Sequence, residues 1–148
     1  MRKTALAMIL TALLLISGCS GNANWDISKM EKGFDLSENK SSAVSAELKE
    51  VNAASNAQSL TLILTNHTEK ELSYGEEPHV EVQIQGEWYV VPLKKEVSIP
   101  AIGILLPPNG TNEYKVNLGA YYQKLKTGRY RYLKTFYDGM AGAEFDIE

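Results

Sequence analysis

The 148-residue chain has one cysteine, Cys19, and two histidines, His67 and His79. A single cysteine excludes any disulfide within the chain, so an exported protein of this sequence has to be held together by an apolar core. Neither histidine has a second one at ligand spacing, and Cys-x-x-Cys is missing, which leaves no zinc or redox motif. Gly-x-Ser-x-Gly, His-Glu-x-x-His and a phosphate-cradling Gly-rich loop are missing too. We therefore expect a non-enzymatic protein without cofactor or metal. The N-terminal apolar run, residues 5–16, numbers twelve, and a spanning helix needs ~20, so a permanent transmembrane anchor is the weaker reading.

That run nevertheless organises the chain. Arg2 and Lys3 precede it and the small residues Ser17 and Gly18 follow it, the three-part layout of a secretory signal. The stretch Ile16-Ser17-Gly18-Cys19 resembles a bacterial lipobox. The resemblance implies a diacylglyceryl group on the Cys19 sulfur, cleavage after Gly18 and, often, acylation of the new amino group. Each buried methylene contributes ~0.8 kcal/mol, so two or three chains hold firmly where one does not. The expected segments are a signal peptide over residues 1–18, a lipid-anchored tether over 19–42 and a folded domain over 43–148. Residues 1–18 contain no acid, so the remainder carries 13 basic against 18 acidic side chains. An acidic body of that kind is unsuited to nucleic acid, whose binding relies on clustered positive charge.

The expected tether is rich in Ser, Asn, Gly and Lys. As a flexible coil its 24 residues would span roughly 27 Å. Trp25, Ile27, Met30, Phe34 and Leu36 are too many large apolar residues for a simple linker, and favour docking onto the domain over recruitment of a partner.

From Ala43 onward the apolar period is two, which predicts strands. Val44, Ala46 and Leu48 form one alternating series, and Leu60, Leu62 and Leu64 a second. A turn at residues 66–70 leads to Leu72 and Tyr74. Val80, Val82 and Ile84 then run through Gln85-Gly86 into Trp88-Tyr89-Val90-Val91, a hairpin signal. Residues 97–106, interrupted by Pro100 and Gly103, predict a broken edge segment. After Pro107-Pro108-Asn109-Gly110 come a strand with Tyr114, Val116 and Leu118, a turn of helix within residues 119–126, and a strand launched by Gly128. Asp138-Gly139 reverses the chain, and Ala143, Phe145 and Ile147 close it. At least seven short strands in roughly 106 residues predict an all-β, two-sheet sandwich.

The stretch from Leu125 to Tyr132 resembles the approach to a late strand of immunoglobulin-like domains, where Gly-x-Tyr returns the tyrosine hydroxyl to the preceding corner. Gly128 and Tyr130 hold those places, and Tyr132 stands where antibody domains have a cysteine. Residues 62–75, Gly86-Glu87-Trp88-Tyr89, Pro107-Pro108-Asn109-Gly110 and residues 125–134 together resemble a bacterial Ig-like domain family found in small lipoproteins. The resemblance implies an Ig-like β-sandwich, gives Trp88, Gly128, Tyr130 and Tyr132 structural roles, and brings no agreed activity. It also favours a single-membrane, Gram-positive cell, with the domain on the extracytoplasmic side of the cell membrane. Residues 66–75, Gly86-Glu87-Trp88 and Gly128-Arg129-Tyr130 are similar, more faintly, to bacterial intracellular proteinase inhibitors, a role at odds with the export signal.

Charge supplies the remaining candidates. With Tyr130 and Tyr132 inward, Arg129 and Arg131 point outward near Lys124 and Lys126, a basic stripe suited to a protein's carboxylates or an anionic envelope polymer. Lys134 falls on the inward series, its ammonium snorkelling out near the strand end. Glu144, Asp146 and Glu148 share one strand face and read as a solvated surface, as do Glu76 and Glu77, because calcium wants six or more oxygens gathered by a loop. The expected function is a membrane-anchored surface module that binds a protein or envelope polymer. The alternatives are a proteinase inhibitor and an accessory or sensor subunit of a transport or signalling system.

Overall fold

Leucines at every second position from Leu60 to Leu64, and valines at Val80 and Val82, put one face of each strand out of water. A computed structural model describes residues 25–53 and 58–148. Its strands are β1 (Val44–Asn52), β2 (Ser59–Asn66), β3 (Leu72–Gly75), β4 (His79–Ile84), β5 (Glu87–Val90), β6 (Gly103–Leu106), β7 (Thr111–Asn117), β8 (Gly128–Phe136) and β9 (Gly139–Ile147). Two single-turn helices, α1 (Leu36–Asn39) and α2 (Leu118–Tyr121), precede β1 and follow β7. All described strand pairs are antiparallel, in sheets ordered β1-β2-β7 and β5-β4-β8-β9 with β3-β6 as a separate ribbon. The chain is an Ig-like β-sandwich.

The inner faces meet in one core. Leu60, Leu62 and Leu64 of β2, Val80 and Val82 of β4, and Tyr130 and Tyr132 of β8 are all at most 2% exposed. Complete burial of such side chains contributes ~1.5–3 kcal/mol each, which explains how a sandwich without disulfides holds together. Tyr130 stacks on Phe145 of β9 with ring centroids 5.6 Å apart, and Tyr74 meets Tyr114 edge-on at 5.5 Å. Gln85 and Gly86 both have positive φ, 53° and 84°. That is the type I′ loop whose twist matches the strands on either side.

Two local expectations change, and the broken segment over residues 97–106 is found. Leu118 starts α2 rather than ending β7, because the ladder stops at Asn117, opposite Ser59, and Asn117 caps the helix. Of residues 97–106 only Gly103–Leu106 is strand, paired to β3. Leu48, expected inward, is 38% exposed, since β1 shifts register between Leu48 and Glu50 as it leaves the core.

The second half of the expected tether docks on the domain, as its apolar residues favour. Residues 25–42 lie on the domain as a strap across the outer face of the four-stranded sheet. At one edge the strap pairs with β5: Gly33 N donates to Trp88 O at 2.8 Å and Val90 N to Glu31 O at 2.9 Å. At the other edge Ser41 N donates to Met140 O of β9 at 2.7 Å. Asp138 then gathers the chain by accepting from the Ser41 hydroxyl (2.7 Å), Ser42 N (2.9 Å) and Ala43 N (3.0 Å). Trp25 and Met30 pack against the core. Backbone pairing at both sheet edges and burial of these side chains offset the entropy of ordering the segment.

Candidate functional site

Where the strap crosses the sheet it covers a charged pair. Glu81 of β4 and Arg131 of β8 are register neighbours on the outer face, and they are 0% and 5% exposed. Arg131 Nε donates to Glu81 Oε2 at 2.6 Å, its Nη2 also contacts that oxygen, and Nη2 donates to Phe34 O of the strap at 2.6 Å. The other carboxylate oxygen accepts from Phe34 N at 2.9 Å and lies 2.8 Å from His79 Nε2. The guanidinium sits over the Trp88 ring, 4.3 Å from its centroid. Burial works against the Glu81 charge, but His79, the Phe34 N–H and Arg131 outweigh it and hold the carboxyl below its ordinary value.

Gly33 makes this closure possible. A methyl there would lie 2.4 Å from Glu81 Oε2 and 2.8 Å from Trp88 Cβ, so only glycine lets the backbone come this close. Phe34 follows and packs on the His79 ring at 5.1 Å.

Between the strap and the β4–β5 side of the sheet opens a cleft of ≈510 Å³. Met30, Phe34, Val91, Leu93 and Tyr122 line it with apolar surface, and Lys29, Glu31, Lys32, Glu77 and His79 bring charge of both signs. Its floor is fixed, because Val80 N donates to the Tyr122 hydroxyl at 3.1 Å. Burial pushes the Tyr122 phenol well above its ordinary value, leaving it a neutral hydrogen-bonding group at physiological pH. Mixed apolar and charged walls of this size suit a polar polymer or an extended peptide better than a lipid tail.

The expected basic stripe loses Arg131. Arg131 is internal, because the strap covers the face on which it points outward. Arg129 is exposed and bound to Glu144, with Nε 2.9 Å from Oε2. Lys124 and Lys126 are exposed in the loop before β8, and Lys126 lies 5.8 Å from the Trp25 ring centroid. Lys134 is 2% exposed and does not reach solvent. Its ammonium donates to Gly75 O at 2.7 Å and Glu77 O at 2.8 Å, and sits 4.6 Å from the Tyr114 ring centroid. Burial brings the Lys134 amine down to about 8.

Among the structural residues, the Tyr130 hydroxyl donates to Lys126 O at 2.7 Å, and Tyr132 is wholly buried. Trp88 lies half-buried on the outer face under Arg131. At Gly128 an added methyl would meet only the Tyr130 ring at 3.4 Å, an ordinary contact. His67 Nε2 lies 2.8 Å from the Ser45 hydroxyl on the surface. Among the described residues no three His, Cys, Asp or Glu side chains gather to hold a metal, and no helix is long and apolar enough to cross a membrane. Cys19 lies outside the described residues.

The sequence did not disclose the site formed by the strap and the Glu81–Arg131 pair. Its one legible signal was the excess of large apolar residues between Trp25 and Leu36.

The structure is similar to the archaellum periplasmic stator protein FlaG of Sulfolobus acidocaldarius, at 16% identity and a TM-score of 0.41, covering 69% of this chain and 99% of that one. The FlaF–FlaG complex of the same organism matches at 15% identity and 0.42, covering 78% and 98%. A β-glucosidase of Kluyveromyces marxianus matches at 15% and 0.38, covering 71% of this chain and 14% of the enzyme. At these scores the likenesses carry no functional weight. No curated protein matches the sequence. A family model described as a bacterial Ig-like domain matches residues 40–147, and its span takes in every strand of both sheets; the chain belongs to the bacterial Ig-like domain family.

Proposed function

We propose that this chain is a non-enzymatic lipoprotein, anchored through Cys19 to the outer side of a bacterial cell membrane, whose sandwich is a binding module for a protein or envelope polymer. The observation that carries the reading is the cleft of ≈510 Å³ built jointly by the strap and the sheet. The strap is the segment that continues toward Cys19, so the recognition surface and the anchor share one piece of chain. Residues 31–33 already occupy the β5 edge through one antiparallel bridge, Lys32 opposite Tyr89. A peptide or glycan laid alongside would find apolar contacts at Met30, Leu93 and Tyr122 and salt-bridge partners at Lys29 and Glu77.

The test is photo-crosslinking on intact cells from a probe at Leu93, which is 40% exposed. One dominant adduct, abolished by Met30→Asp while the protein remains in the membrane fraction, is the expected result. An adduct pattern indifferent to that substitution would reject the cleft as the binding surface. Turnover of any substrate by the purified protein, abolished by one point change, would reject the non-enzymatic reading.

A further inference from the structure

The strap changes how far the domain can stand from its anchor. Trp25 packs on the core, so six residue steps separate it from Cys19, and fully extended chain covers at most ~20 Å over that length. This inference rests on the anchoring through Cys19 proposed above.

Where Trp25 docks then decides which end of the sandwich faces the lipid. Its indole lies under Lys126, at the loop before β8. That loop is held firmly: Gln58 takes Leu125 with both ends of its amide, donating to Leu125 O at 2.9 Å and accepting from Leu125 N at 2.7 Å. The Tyr130 hydroxyl fixes Lys126 O. The chain therefore leaves a rigid pole of the domain, where β8 begins and β9 ends. Lys124 and Lys126 are exposed there, with Glu148 the acid beside them. The turn at Tyr137 and Asp138 lies at the other end of β8, nine residues and ~30 Å away.

We propose that the pole carrying Lys124 and Lys126 rests against the phospholipid headgroup layer, fixing the sandwich upright with the Tyr137 turn pointing away from the membrane. Lysines at this pole complement anionic headgroups, and Trp25, packed on the core beside them, ties the chain to that pole. The strap thus works as a bracket: it prevents the domain from swinging on a long leash and presents the cleft at a set height and angle.

The orientation is read by NMR on the lipidated protein in nanodiscs of phosphatidylcholine and phosphatidylglycerol doped with a gadolinium-headgroup lipid. Amide broadening is expected to be several-fold stronger at residues 124–128 than at 135–139. K124E is expected to flatten that gradient, and a gradient it leaves untouched overturns the electrostatic half of the proposal. Equal broadening at both poles, on protein whose mass shows the acyl chains, overturns the orientation while leaving the anchor intact. A mass without acyl chains overturns the anchor and this orientation with it.

Discussion

Two arginines separated by one residue on β8 live in different media. Arg129 and Glu144 pair in water, with about half of each side chain exposed. Arg131 and Glu81 pair out of water, with side chains 6% and 0% exposed. Alternation places both arginines on the outer face; only the strap separates their fates. An exposed pair gains little over two hydrated ions, whereas a buried pair is held by geometry and costs heavily when one partner is lost. Burying a charge on an edge-to-edge sheet surface is therefore a consequence of what lies over it, not of the strand itself. Lys134, further along β8, adds the contrasting case of a buried cation held by two carbonyl oxygens and aromatic rings in place of a carboxylate.

Breaking the buried pair should have the largest effect. Arg131→Met strands the Glu81 carboxylate and is expected to lower stability by ~3–5 kcal/mol in urea unfolding, with most of the loss recovered in the Glu81→Leu, Arg131→Met double variant. Gly33→Ala leaves both charges but pushes the strap off them. We expect a loss of ~1–3 kcal/mol, accompanied by a change in Trp88 fluorescence as the indole and Arg131 become hydrated.

pH sharpens the comparison with Lys134. Its folded value, about 8, lies below that of an unfolded lysine, so between the two the unfolded chain binds the extra proton and stability rises with pH. From roughly pH 8 to 9.5 the unfolding free energy should rise by ~1–2 kcal/mol, and Lys134→Met should abolish the rise. Glu81 works at the acid end. Its folded value lies below the unfolded one, so the stabilisation present at neutral pH disappears as the pH falls through the folded value. The smallest effect belongs to Arg129→Ala, for which no shift of the urea midpoint is expected.

Period-two alternation made the sandwich legible because each strand has one wet face and one dry face. Val80, Val82, Tyr130 and Tyr132 face the core as their spacing dictates. Gln85-Gly86 was legible as well, since few residue pairs adopt two positive φ angles. Arg131 was not: alternation tells which side of a sheet a residue takes, but not whether another segment covers that side. Docking of this segment was legible in its apolar residues, but its place on β5 was not, because residues 31–33 carry no strand pattern, Lys32 meets Glu87 from far along the chain, and Gly33 fits by having no side chain to recognise. Lys134 was assigned to the inner series correctly, but the carbonyls that keep it there come from Gly75 at the end of β3 and Glu77 in the loop that follows, which no sequence pattern marks.

The account stands on residues 25–42 being part of the fold. Native-state hydrogen exchange at the Gly33 and Val90 amides, which bond between strap and β5, tests this most directly. Protection approaching that of β4 amides is predicted, with Gly33→Ala lowering it at both positions. Exchange at the rate of an unstructured peptide, while β4 and β8 stay protected, would contradict it.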